Sequence, residues 1–184
     1  MKMTIITTEK SVYDGPGKTV LLSFSHPQEE SGDNLHRRIK AFYSHKEKQY
    51  EKRLADMADK LPDGELLLIS GCKILYQSDR FLSVRRDTAV KKNRRTKFVL
   101  SEFDTWELKT GLPLNLYFFE PDTKHIRQHI KNAAGDKKTF RKMLKSFSPD
   151  DFAVSDGGTK IYIQGFGREI YIPFSKKSEF STAC

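Results

Sequence analysis

A chain of 184 residues with 37% hydrophobic and 11% aromatic content is too rich in core-forming side chains to be disordered, and long enough to bury a core without staples. The excess of 33 Lys and Arg over 24 Asp and Glu gives a net charge of +9, which favours anionic partners without choosing among nucleic acid, acidic lipid and acidic protein. Two cysteines, Cys72 in an apolar run and Cys184 at the end, make neither a disulfide framework nor a zinc site.

No run approaches the roughly 20 apolar residues of a membrane span, and residues 1–10 lack the apolar stretch of a signal peptide. The expectation is a single cytoplasmic domain over 1–184, with residues from about 177 onward a frayed tail.

Met3 to Thr8 carries β-branched residues and reads as a strand. Tyr13 to Gly17 is dense in turn formers, and Lys18 to Ser25 reads as the returning strand of a hairpin. Pro27 to Asp33 is a polar loop in which Ser31 or Asp33 can cap a helix. From Asn34 to Leu61, the residues Leu35, Ile39, Phe42, Tyr43, Tyr50, Leu54, Met57 and Leu61 recur at helical spacing, and Pro62-Asp63-Gly64 ends the helix.

Glu65 to Gln77, Arg80 to Thr88 and Thr96 to Leu108 read as a three-stranded antiparallel meander. Gly71 marks a bulge or a close approach, and Lys109-Thr110-Gly111 a turn. Leu112 to Phe119 is apolar. Asp122 or Thr123 can cap a helix through Ala134, with Ile126 and Ile130 inward and Gly135 as the stop.

Asp136 to Phe147 is a second short helix, burying Phe140, Met143, Leu144 and Phe147. Three strands close the chain, at Phe152 to Ser155, Thr159 to Gln164 and Glu169 to Phe174. The predicted fold is α+β: a mostly antiparallel sheet with one long amphipathic helix and a shorter helix pair packed on it.

Three segments carry a resemblance to a family. They are Phe103-Asp104-Thr105-Trp106-Glu107-Leu108-Lys109-Thr110-Gly111, then Leu114 to Phe119 with the helices after it, then the closing strands from Phe152-Ala153-Val154-Ser155-Asp156-Gly157-Gly158 to Ile170-Tyr171-Ile172-Pro173-Phe174. In this order they resemble the domain of unknown function at the C-terminus of RsiV-type lysozyme-sensing anti-sigma factors. That domain also accompanies some cell-wall polysaccharide deacetylases and occurs as short stand-alone bacterial proteins in Firmicutes.

The resemblance implies the α+β layout and a role in protein interaction. Members usually carry a glycine-rich turn with a histidine where this chain has Lys92-Asn93-Arg94-Arg95-Thr96-Lys97, and a longer loop where it has Gly165-Phe166-Gly167-Arg168. These replacements argue against lysozyme as the partner.

The most distinctive local feature is basic. From Arg80 to Lys97 there are eight Lys and Arg residues and a single acid, Asp87. Guanidinium forks on a hairpin match phosphate oxygens, so Arg85, Arg86, Lys91, Lys92, Arg94, Arg95 and Lys97 are the candidate binding residues for an anionic partner. Phe81 and Phe98 flank them and can stack on bases. The competing reading is a solvated hairpin whose charges discourage edge pairing.

A second basic segment runs along the helix pair, from Lys124 to Lys145. His125 and His129 stand four apart, but lack a third ligand nearby in sequence and read as surface histidines. Trp106 reads as core, and Asp150-Asp151 as turn formers. No catalytic constellation, metal site or cofactor motif emerges.

The expected function is therefore a non-catalytic binding module with an unknown protein partner. Nucleic-acid or polyanion binding through residues 80–97 is the alternative, and an enzyme of unknown class the third.

Overall fold

The hairpin opens the fold. β1 (Met3–Gly15) and β2 (Lys18–Glu29) pair antiparallel, with a register shift between Ser11 and Tyr13. α1 (Arg37–Ala58) follows, burying Ile39, Tyr43, Tyr50, Leu54 and Ala58 along one stripe. Met57, expected inward, is 40% exposed, because the four-residue step from Leu54 continues to Ala58 and leaves Met57 at the stripe's edge.

β3 (Gly64–Gln77) then pairs with β2 in parallel, from Lys18 opposite Gly64 to Phe24 opposite Ser70. This β2–α1–β3 crossover is the one departure from antiparallel pairing among the described registers. β4 (Phe81–Lys92), β5 (Arg95–Glu107) and β6 (Leu112–Leu114) complete a six-stranded sheet ordered β1-β2-β3-β4-β5-β6. A Cβ added at Gly71 would meet nothing nearer than the Asp87 carbonyl oxygen at 3.9 Å, so no close approach requires that glycine.

The rest of the chain is α2 (Leu116–Phe119), α3 (Thr123–Ala134), α4 (Lys137–Ser146), and a three-stranded antiparallel sheet of β7 (Phe152–Ser155), β8 (Gly158–Ile163) and β9 (Arg168–Pro173). The Asp122 side chain caps α3 by accepting from the Lys124 amide, and Asp136 caps α4 by accepting from the Lys138 and Thr139 amides. Gly135 ends α3 at φ 76°. Glycine is required at the β7–β8 turn, where Gly157 has φ 69° and a Cβ on Gly158 would strike the Ile172 carbonyl oxygen at 2.4 Å.

The computed structural model describes residues 2–29, 37–60 and 64–174, with the backbone alone at 97 and 98. The expectations for the loop and cap at 30–36, for the stop at 61–63 and for the tail lie outside the described residues. The architecture is α+β and mostly antiparallel, as expected. No helix among the described residues is long and apolar enough to cross a membrane.

The chain divides into two compact units. The first draws on Met1–Ile74, Arg85–Glu102 and Lys109–Gly111, and the second on Leu75–Val84, Phe103–Leu108 and Leu112–Cys184. β3, β4 and β5 each contribute residues to both. In the first unit Val20, Leu22 and Phe24 of β2 and Leu66 and Leu68 of β3 are buried with the α1 stripe.

In the second unit Leu116, Phe119, Ile126, Ile130, Met143 and the inward residues of β7–β9 form one cluster. Trp106 is buried there, as its neighbours in sequence imply. Phe103 stacks on Tyr162 at 4.0 Å, and the Ser83 hydroxyl accepts from the Val154 amide at 2.9 Å.

Candidate binding surfaces

The basic hairpin forms as predicted, with a two-residue turn of Asn93 and Arg94 between β4 and β5. Both turn residues have positive φ, 48° and 64°, the left-handed backbone that such a tight turn demands. Asn93 suits that conformation and also serves as a clamp. Its amide donates to the Glu65 carbonyl oxygen at 2.9 Å, and its side-chain oxygen accepts from the Glu65 amide at 3.0 Å. Arg94 has no such local reason to be there, since a β-carbon is strained at this φ.

The candidate residues divide by strand parity. Arg94 and Arg95 are exposed at the tip, and Lys91 and Lys92 are half-buried below it. Arg85 faces out but is engaged, donating from Nε to Asp87 at 2.9 Å and reaching Ser101 Oγ at 3.4 Å. The side chains of Lys97 and Phe98 lie outside the described residues.

Arg86 is not at a surface at all, and cannot serve as the anion contact the sequence reading assigned it: it is 0% exposed. Alternation puts it on the inner face with Val84, Thr88 and Val90, which are all buried.

There the Arg86 guanidinium lies 4.8 Å from the ring centroids of both Phe24 and Tyr43. It donates to the Ser25 carbonyl oxygen at 3.1 Å and reaches Ser70 Oγ at 3.5 Å. Thr88 donates to Ser70 at 3.2 Å, and the Tyr50 hydroxyl lies 3.4 Å from Thr88 and donates to Glu102 at 2.5 Å. Burial, then the Glu102 carboxylate, pushes the Tyr50 phenol up to about 12. Burial works against the Glu102 charge, but the Tyr50 hydroxyl, Lys46 and Arg86 outweigh it and hold the carboxyl below its ordinary value. The network fixes a polar core.

The second unit carries a different kind of surface. Tyr117 of α2, Thr123, Ile126, Arg127 and Ile130 of α3, Leu144 of α4 and the following Phe147 line a groove of about 280 Å3. Its floor is apolar: Ile126 and Ile130 are buried, Leu144 and Phe147 are half-buried, and Tyr117 is 40% exposed at the edge. Arg127 is exposed on one wall. α4, which brings Leu144 to the groove, turns Lys137, Lys138, Arg141, Lys142 and Lys145 to a separate outer face. Arg141 precedes Leu144 by three positions, so the two are neighbours on the surface of α4.

The same unit holds a polar cluster on the far flank of α3. Glu120, 8% exposed, accepts from the Asp122 amide through Oε1 at 3.1 Å and meets His125 Nδ1 through Oε2 at 2.7 Å. His125 Nε2 is 3.1 Å from His129 Nε2, with the rings nearly perpendicular. Burial foremost, then the neighbouring His125, lowers the His129 pKa, against a weaker opposite pull from Glu120. The i,i+4 spacing gave the pair. Glu120 was missed because it lies before the helix, where periodicity carries no signal.

The sequence matches no protein-family model and no curated protein. The fold is similar to that of solved proteins of the DUF3298 family. One, from Pseudomonas aeruginosa PAO1, has a TM-score of 0.60 and 14% identity, over 94% of this chain and 90% of that one. Another, from Bacteroides fragilis NCTC 9343, has a TM-score of 0.56 and 15% identity over the same shares. These likenesses establish the fold.

Proposed function

We propose that the chain is a non-catalytic binding module whose partner is a protein segment of acidic and apolar side chains, seated in the groove of the second unit. The observation that carries this is an apolar floor with Arg127 on its wall and the basic face of α4 next to its Leu144. Leu144, Phe147 and Tyr117, over a floor of Ile126 and Ile130, reward burial of an apolar anchor; Arg127 in the lining, and Arg141 next to Leu144 on α4, select carboxylates beside it.

An interaction role also agrees with the resemblance to the RsiV-type domain, of which the chain reads as a divergent relative. The stretch Lys92–Lys97 in place of the family's glycine–histidine turn speaks for a partner other than lysozyme.

Selection of displayed random peptides on the intact protein tests the proposal. Enriched peptides should combine aromatic or aliphatic anchors with Asp or Glu. They should bind an Arg127→Glu/Arg141→Glu variant about tenfold or more weakly, as loss of buried-edge charge pairs implies. Peptides without acids, or undiminished binding to that variant, would overturn it.

A second reading, polyanion binding by the hairpin, is favoured by one observation. Arg94 occupies a φ of 64° that glycine would adopt without strain, and retained backbone strain points to a use for the side chain. Fluorescence anisotropy with labelled duplex DNA, single-stranded DNA and RNA decides it. Binding that falls steeply with salt and is lost in Arg94→Glu/Arg95→Glu supports it, whereas equal behaviour of variant and parent removes it.

A further inference from the structure

We propose that His125 and His129 form a two-histidine site for a late divalent transition ion, with Glu120 as the carboxylate that orients His125. This site is independent of the groove and of the hairpin, and the geometry makes the case. Two nitrogens bound to one tetrahedral ion at about 2.0–2.1 Å stand roughly 3.3 Å apart. The two Nε2 atoms stand 3.1 Å apart. An ion bound by both would replace this hydrogen bond, with the proton on His129 Nε2 moving to its Nδ1 and each ring turned toward the ion.

The tautomers fit as well. His125 Nδ1 faces a carboxylate and so carries its proton there, which leaves the Nε2 lone pair for a ligand. Glu120 cannot swing away, because its other oxygen is held by the Asp122 amide and the residue is buried. A carboxylate–histidine pair of this kind fixes the direction of the ring toward a metal.

Lys124, Arg127 and Lys131 on the same helix are exposed, so their repulsion of a cation is screened by water. Among the described residues no cluster of three or more His, Cys, Asp or Glu is placed to hold a metal, so the ion would have two protein ligands and water in its other positions. Imidazole donors suit Cu2+, Ni2+ and Zn2+, with Cu2+ bound most tightly.

The test is titration of the full chain with Cu2+, followed calorimetrically and by electron paramagnetic resonance. One ion should show nitrogen couplings from two imidazoles. His125→Gln and His129→Gln should each weaken that ion by about tenfold or more, and Glu120→Gln by about 10–100-fold with both ligands still present. His45→Gln, on α1, should leave it unchanged. If Glu120→Gln fails to fold by circular dichroism, the two histidine variants decide alone. The same affinity and spectrum in His125→Gln and His129→Gln as in the parent would overturn the site.

Discussion

The β4–β5 hairpin and α4 are both crowded with basic residues, yet they use them in opposite ways. The strand alternates faces, so one of its arginines is drawn inside against Phe24 and Tyr43 and another is engaged by Asp87, while Arg94 and Arg95 stand exposed at the tip. The helix gathers Phe140, Met143, Leu144 and the adjoining Phe147 on one side, which leaves all five of its Lys and Arg residues on the other. A count of charge in sequence is therefore a measure of surface charge for α4 and an overcount for the hairpin.

The sharpest way to press this contrast is to shorten one arginine from each setting. Arg86→Ala should cost about 3 kcal/mol, because it opens a cavity between two rings and strips donors from buried oxygens, whereas Arg94→Ala should change stability by less than about 0.5 kcal/mol. Urea denaturation checks both. We propose that the two units unfold as one domain, since three strands run through both. The single Trp, Trp106 in the second unit, then reports the Arg86→Ala loss in the first at the same midpoint as circular dichroism. Separate midpoints would break that proposal.

Arg94→Gly comes next in size. It should stabilise the protein by about 1 kcal/mol through relief of the left-handed backbone, while weakening any polyanion binding. Loss of stability would show that the arginine makes contacts beyond its charge.

A smaller effect belongs to pH. The folded Tyr50 phenol is raised from 10.0 to about 12, so the folded state keeps a proton that the unfolded state loses. Its contribution is intact below pH 10 and fades as pH rises toward 12. Glu102 runs the other way: its folded carboxyl is held below the ordinary value, so its contribution is present above that value and fades on acidification. Tyr50→Phe should flatten both limbs of stability against pH, measured as urea midpoints. Unchanged limbs would remove this pair as their cause.

Much of the fold was legible because local rules agree with it. The first hairpin, the inward stripe of α1, the Asp122 cap, the Gly135 stop and the three closing strands all follow from spacing and turn chemistry. The parallel partnership of β2 and β3 was not legible, because strand patterning says which residues alternate and not which strand lies alongside. Strand parity could have placed Arg86, since it shares its face with Val84 and Val90, but the density of charge around it concealed the signal. The Glu120–His125–His129 cluster needed three dimensions, as its carboxylate enters from outside the helix.

The crossover has a consequence for how quickly the chain reaches its native state. Hairpins such as β1–β2 and β7–β8 close over a turn of a residue or two and form on the microsecond scale. β2 and β3 cannot meet until the whole of α1 has been laid down between them, so Lys18 finds Gly64 only after a long loop has lost its entropy. That step is the expected kinetic bottleneck. Weakening the docking of α1 at Leu54 should therefore slow refolding, whereas loosening the Gly157 turn should chiefly speed unfolding.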